Sequence, residues 1–354
     1  MKSPLIFFLA LLLISGCSDD FDPNKFVIIE DCKVLDTQYG QTILRAPGHL
    51  CEYGGDGNVY LHMDQTLAKF DLKAQKQIWT SKSIVHHDMY LDHNKHVLYT
   101  LERDLFQRDE ITYIGFKIVA HSSENGEIIS EWLSSEHQQS LDLGLLITPD
   151  PMLPQLPWPV PGIPTGARRY VDANQIELVS ADNPLVKHHK AQEGDLLISL
   201  MDYSTLAVID FKTGKIRSFI NIPNSEGQIH TVSFFPQGSL SVFKNLVKKS
   251  TQPMSAAQEL SYPDLEKVIW QYPPQLVSDF FSPYFSSVQK VSNDLYFIVD
   301  NSEKNSAFLF VNKHSKILYK LPFTSRKDGQ EQLVYRAHII EKINFKKTFG
   351  INLP

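Results

Sequence analysis

Along most of the chain, apolar and polar residues alternate in short runs broken by Gly, Asn, Asp, Ser and Pro, and a 3.6-residue helical repeat is almost absent. That alternation predicts strands with one face toward a core, reversing at tight turns. One composite unit recurs: a strand, a second strand ending in an Asp or Ser turn, and a third closing on an aromatic. It occurs as "NVYLHMDQTLAKFDLKAQKQIWT", "FKIVAHSSENGEIISEW", "GDLLISLMDYSTLAVIDFKTGKIRSF", "SAAQELSYPDLEKVIWQY" and "LYFIVDNSEKNSAFLFVNKHSKILYKL". The closing aromatics are Trp79, Trp132, Phe219, Trp270 and Tyr319.

Units of about forty to fifty residues, each a small sheet unable to bury both faces alone, are the mark of a β-propeller. Five are visible directly. The N-terminal "KFVIIEDC" and "QTILRA" and the C-terminal "LVYRAHII" supply the pieces of a sixth. The expected fold is therefore all-β, a six-bladed β-propeller closed by N- and C-terminal strands, spanning residues 26–345 with a tail at 346–354. A seventh blade would need about fifty residues more than remain. One stretch breaks the period: "DPMLPQLPWPVPGIPTG", residues 150–166, holds six prolines. Such a segment cannot form ladder bonds and reads as a stiff insertion, either packed on the rim or lying across one end of the channel.

The first residues, "MKSPLIFFLALLLISGCSDD", have one Lys and then an uncharged run from Leu5 to Ile14. This has the length of a signal-peptide core and is too short to span a bilayer. Ile14-Ser15-Gly16-Cys17 resembles the lipobox of bacterial lipoproteins. The resemblance implies a signal peptide at 1–16 and a lipidated Cys17 leading a linker to residue 25. It also implies attachment to the cell envelope, with Ser18 favouring the periplasmic face of the outer membrane. In that oxidising compartment Cys32 and Cys51 are an even pair, and a disulfide between them is expected.

Charge and motifs narrow the function. The net charge is −6, without a basic run, so no electrostatic footprint for nucleic acid is present. No GxxxxGK phosphate loop occurs and no cofactor is expected. No CxxC or HxxxH spacing appears, and adjacent strand residues point to opposite faces. His86-His87 and His188-His189 are thus expected to give one ligand at most per pair, and no metal site is expected.

In a propeller the innermost strands converge on a central channel, so residues at the starts of blade-opening strands meet there. "VHHDMYLDHNKHVLYTL" places His86, His87 and Asp88 in that position. "YVDANQIELVSADNP" places Asp172 and Asn174, "GQIHTVSFFPQGSLSVFKN" places His230, and "LVYRAHII" places Arg336 and His338.

From about Val171 to His338 the order of "DANQIELVSADNP", "GDLLISLMDYSTLAVIDFKTGKI", "GQIHTVSFFPQGSLSVFKN", "DFFSPYFSSVQKVSN" and "VYRAH" resembles bacterial arylsulfotransferases. These are six-bladed, periplasmic or lipid-anchored enzymes that move a sulfuryl group from an aryl sulfate to a phenol through a sulfated histidine. The resemblance implies His230 as an acid–base or substrate-binding residue; the family's nucleophilic histidine has no counterpart at its usual place, so another, His87 or His338, would have to serve as the nucleophile. Asp172, Asn174, Arg336 and Asp88 would bind substrate. The partners implied are a small phenolic or aryl sulfate substrate and the membrane. Several positions depart from the family. Asp172 stands where it carries His, and Phe243-Lys244-Asn245 with Lys248 and Lys249 replaces Phe-Asp-Asn-Gly and a following Arg. "DLYFIVDNSEKNSAFLF" has no histidine, and His314 falls in a solvent turn. The alternative is a non-catalytic propeller lipoprotein that binds a ligand or an envelope protein partner.

Overall fold

The computed structural model describes residues 21–349, apart from 31, 55–56, 64, 148–162, 224–227, 246–253, 278, 283–285, 303–305, 323–333 and 335–336. Cys17, Arg336 and nearly all of the Pro-rich insertion lie outside these residues. Six antiparallel sheets form a ring of blades. The closure blade orders Ala337–Glu341, Phe26–Glu30, Lys33–Asp36 and Thr42–Arg45 from the axis outward, so the C-terminal strand lies innermost. The second blade runs Leu50–Tyr53, Asn58–Met63, Thr66–Asp71, Lys76–Lys82. The third runs Val85–Asp92, Val97–Arg108, Ile111–Ser122, Ile128–Leu133. The fourth is Ala173–Leu178, Leu196–Leu200, Thr205–Asp210, Lys215–Asn221, and the fifth Ile229–Phe235, Ser239–Lys244, Ala256–Ser261, Val268–Tyr272. The sixth is Ser287–Ser292, Leu295–Asp300, Ala307–Asn312, Ile317–Pro322. The expected closure by strands from both ends of the propeller is observed.

The core is divided among the joints between blades. Each of six apolar clusters belongs to one neighbouring pair; Leu101, Ile118, Ile176 and Ile198, for example, join the third and fourth blades. A middle strand therefore buries both faces, and every residue of Leu196–Leu200 is buried. This explains its unbroken apolar run. An outermost strand has one neighbour and one solvent side: of Ile128–Leu133 only Trp132 is buried.

The recurring aromatic now has a physical reason. Trp79 Nε1 donates to Ser123 O (3.3 Å), Trp132 Nε1 to Gly214 O (2.9 Å), Trp270 Nε1 to Asn312 O (3.2 Å) and Tyr319 OH to Gln38 O (2.8 Å). Each acceptor lies in an outer turn of the next blade, so one large ring buries apolar area and also satisfies a carbonyl there. Gly126 permits the first of these contacts. Its φ is +78°, and a Cβ there would lie 2.6 Å from the Trp79 ring. Phe219 has no donor and packs instead on the helix Gln138–Leu145, where a Cβ at Gly144 would meet it at 2.0 Å.

On the axis side, the innermost strand of every blade is a sheet edge whose free amides and carbonyls need partners. At four of the joints, side chains from the preceding blade supply them. Asp88 Oδ2 accepts from Ile176 N (2.8 Å), and Gln175 clamps Val232 through both its N–H (2.7 Å) and its carbonyl (2.8 Å). Thr231 Oγ1 accepts from Val288 N (3.3 Å), and Gln289 clamps Ile339 in the same two-pronged way (2.7 and 3.2 Å). These contacts join the third blade to the fourth, and so on through to the closure blade. The expected disulfide is present: Cys32 of the closure blade is bonded to Cys51 in the inner strand of the second. Closing a loop of 19 residues, it contributes on the order of 3 kcal/mol.

The third blade carries an addition. Its two middle strands are twelve residues each, and Glu102 already pairs with Val85 at the start of the inner strand. Residues from Arg103 onward therefore project beyond the ring. There Asp104 accepts from Ser135 N (2.7 Å), Arg108 pairs with Asp142 (2.8 Å), and Arg168–Arg169 lies parallel to Tyr113–Ile114.

Gln175→Ala removes both clamps on Val232 and is expected to lower unfolding free energy by about 1–3 kcal/mol, measured as the urea midpoint at constant m. Gln175→Glu, which keeps only the acceptor, is expected to fall between the two.

Candidate functional site

Three inner strands depart from regular pairing at their starts, where the sequence places its candidates. Val85 pairs with Glu102 and Met89 with Thr100, so His86, His87 and Asp88 share the span opposite Leu101. Ala173 pairs with Leu200 and Gln175 with Ser199, leaving Asn174 as an extra residue. Ile229 pairs with Lys244 and Val232 with Val242, so His230 and Thr231 oppose Phe243. Bulges re-aim side chains and end pairing.

The third-blade bulge corrects one expectation. His86 and His87 do not point to opposite faces. His87 has φ +74°, which breaks the alternation, and the two rings lie 3.6 Å apart, centroid to centroid. Both face Asp172 at the start of the fourth blade: His87 Nε2 is 3.3 Å and His86 Nδ1 4.0 Å from its Oδ1. Arg169 Nη1 is 3.6 Å from the other oxygen, Oδ2, and 3.2 Å from Asp202 Oδ1. The side chains of His86, His87 and Asp172 are 24, 18 and 12% exposed, so the cluster is reachable from solvent.

Electrostatics set the protonation of this cluster. Burial, then His87, holds His86 well below the usual histidine range, against the pull of Asp172. Burial alone would raise Asp172, but His87, His86 and Arg169 outweigh it and hold the carboxyl well below the usual carboxylate range. Asp202 is pushed up to about 6 by burial and by Asp172, with Arg169 opposing. Arg103 is lowered, mainly by burial. Its guanidinium senses Asp172, Arg169 and His86, yet it makes no hydrogen bond or ion pair among the described residues.

The remaining candidates fall elsewhere. Asp88 latches Ile176, and Asn174 is buried at its bulge. His230 is 1% exposed within the fifth blade. His338 is exposed on the inner strand of the closure blade, paired with Ile29. Arg336 lies outside the described residues. Lys244 is buried, its Nζ donating to Pro223 O (2.7 Å). A groove of about 500 Å³ between the second and third blades is lined by Gln65, Thr66, Lys82, Ser83, Ile84 and Glu102. Glu102 there is engaged by Ser83 and Lys117 as part of the joint. Arg103, Arg169 and Asp202 were not among the sequence candidates. Their signals were a strand pattern too long for a blade, "LERDLFQRDEITYIGF", and the Arg pair just ahead of Asp172.

The chain matches no protein-family model, and no curated protein is significantly similar to it. Among solved structures, it is similar to a protein of unknown function from Bacteroides caccae (9% identity, TM-score 0.47, covering 90% of this chain and 99% of that one). It is also similar to the β-propeller domain of Cps50 (Swd1) from Myceliophteria thermophila (12% identity, TM-score 0.44, covering 84% and 83%). No activity is taken from either. No helix among the described residues is long and apolar enough to cross a membrane.

Lys244 provides a test of the local electrostatics. Burial lowers its amine to about 8, against about 10.4 in an unfolded chain. Below pH 8 both states are protonated and the cost of burying the charge is fully present. As pH rises toward 10.4 the folded state is already neutral and the cost disappears. The stability of Lys244→Met relative to the parent is therefore expected to be more favourable at pH 7 than at pH 10, by up to about 3 kcal/mol. Urea unfolding of both proteins at the two pH values measures the difference.

Proposed function

We propose that this propeller is a periplasm-facing lipoprotein of the arylsulfotransferase type, anchored through Cys17, and that its channel mouth passes a sulfuryl group from an aryl sulfate to a phenolic acceptor. One observation carries the reading: two adjoining imidazoles, His86 and His87, converge on Asp172 and Arg169, and the charge of the half-buried Arg103, which has no hydrogen bond or ion pair among the described residues, is felt at His86. A desolvated cation with nothing to bind is costly, and an anionic ester would satisfy it. Asp172 would repel that ester if it stood alone. Here Arg169 and His87 flank it.

In the first half-reaction a His86 nitrogen turned away from Asp172 attacks sulfur, the bond from sulfur to the aryl oxygen breaks, and His87 gives its proton to the departing phenolate. Asp172 orients His87. In the second, the acceptor phenol passes its proton to His87, its oxygen attacks sulfur, and the N–S bond breaks. Arg103 holds the sulfuryl oxygens throughout.

A second reading, an anion-binding propeller without turnover, is favoured by the burial of His230 and by the tie of Lys244 to Pro223, both at positions matched to the family's motifs. The two are separated by mixing the protein with 4-nitrophenyl sulfate and phenol and following nitrophenolate. The expected result is release that falls roughly ten- to a hundredfold in kcat/KM for Arg103→Ala, the loss of one charge-assisted contact. A sulfuryl adduct on the peptide carrying His86 and His87 is expected by mass spectrometry. Binding of the ester without release, and no adduct, would establish the second reading.

A further inference from the structure

One nitrogen of His86, one of His87 and one oxygen of Asp172 lie within 4.8 Å of one another. A dication bonded at about 2.0–2.2 Å holds adjacent ligand atoms roughly 3–4 Å apart. His87 Nε2 and His86 Nδ1 are 3.3 and 4.0 Å from the same carboxylate oxygen, so side-chain movements of about an ångström would bring all three to bonding positions. Neighbouring strand residues ordinarily cannot chelate one ion. The left-handed backbone at His87 (φ +74°) removes that obstacle. Non-glycine residues disfavour this conformation, and what the strain achieves here is the convergence of the two rings.

We propose that His86, His87 and Asp172 form a three-ligand site for a borderline transition-metal dication such as Zn²⁺ or Cu²⁺, and that an ion seated there stops sulfuryl transfer. Two imidazoles and one carboxylate suit these ions and are a poor set for Mg²⁺ or Ca²⁺, which prefer all-oxygen shells. The nearby positive charge does not forbid it. Arg169 is shared between Asp172 and Asp202, so its charge is already offset by two carboxylates. An ion held by both imidazoles occupies a nitrogen of each, draws electron density from both rings and fixes them on Asp172, away from an incoming sulfur. The blocking of transfer rests on the function proposed above; the binding of metal does not.

The full chain, stripped with EDTA, is loaded with one equivalent of Cu²⁺ and frozen for electron spin-echo envelope modulation, which counts coordinated imidazoles. Two are expected, and one or none overturns the site without need of a variant. Zn²⁺ affinity by calorimetry is expected to fall at least tenfold in His87→Gln and to stay unchanged in His314→Gln, whose ring lies on a turn of the sixth blade. Equal affinity in parent and His87→Gln overturns the proposal. Zn²⁺ bound in this way by a chain that releases no nitrophenolate supports the metal site and overturns the transfer reading. Release that persists at saturating Zn²⁺ overturns the blocking.

Discussion

The inner strand of each blade must satisfy a free sheet edge at the axis, and the ring is held by how it does so. A sheet edge facing a narrow channel cannot rely on another strand, so side chains from the neighbouring blade take that role. Asp88, Gln175, Thr231 and Gln289 occupy comparable places near the starts of four inner strands and each reaches the backbone of the next. Apolar clusters fill the joints behind them, but such packing is tolerant of sliding. The directional contacts at the axis fix the angle and register between blades.

The same contacts position the candidate site. Asp88 follows His87, and Gln175 follows Asn174. Each latch therefore pins the strand immediately beside a bulge and holds the polar residues there at fixed depth. The arrangement couples ring geometry to mouth geometry. There the charge of Arg169 opposes those of Asp172 and Asp202, two imidazoles adjoin Asp172, and Arg103 adds a further positive charge. A site so nearly balanced responds strongly to whatever charged group enters it, because the low-dielectric surroundings screen little.

The blades were legible in the sequence because their signals are local. Alternation, turn residues and the closing aromatic each act within one sheet or across a single joint, as Trp79, Trp132 and Trp270 do. The pairing of Cys32 with Cys51 and the closure by "LVYRAHII" followed from parity and from ring geometry. The starts of inner strands were legible for the same reason, which is why His86, His87, Asp172 and His230 stood out as residues. Their arrangement was not legible. The rule of alternating faces fails at His87 because one left-handed residue overrides it. Arg103 and Arg169 owe their position to an overlong hairpin, whose long strand pattern shows that it projects but not what it meets, and to a two-residue parallel pairing that has no periodic trace. Lys244 reads as a surface charge, yet it is buried, and among the described residues its amine meets a carbonyl, that of Pro223.

The position of Ala337–Glu341 at the axis of the closure blade has a consequence for the order of events during synthesis. The three strands it completes emerge from the ribosome early and must wait for nearly the whole chain before their inner neighbour exists. Blades wholly encoded in one stretch can assemble as they appear, whereas this one is a clasp that snaps shut last. Until then, its apolar flank is a hazard for self-association, a task suited to a holding chaperone.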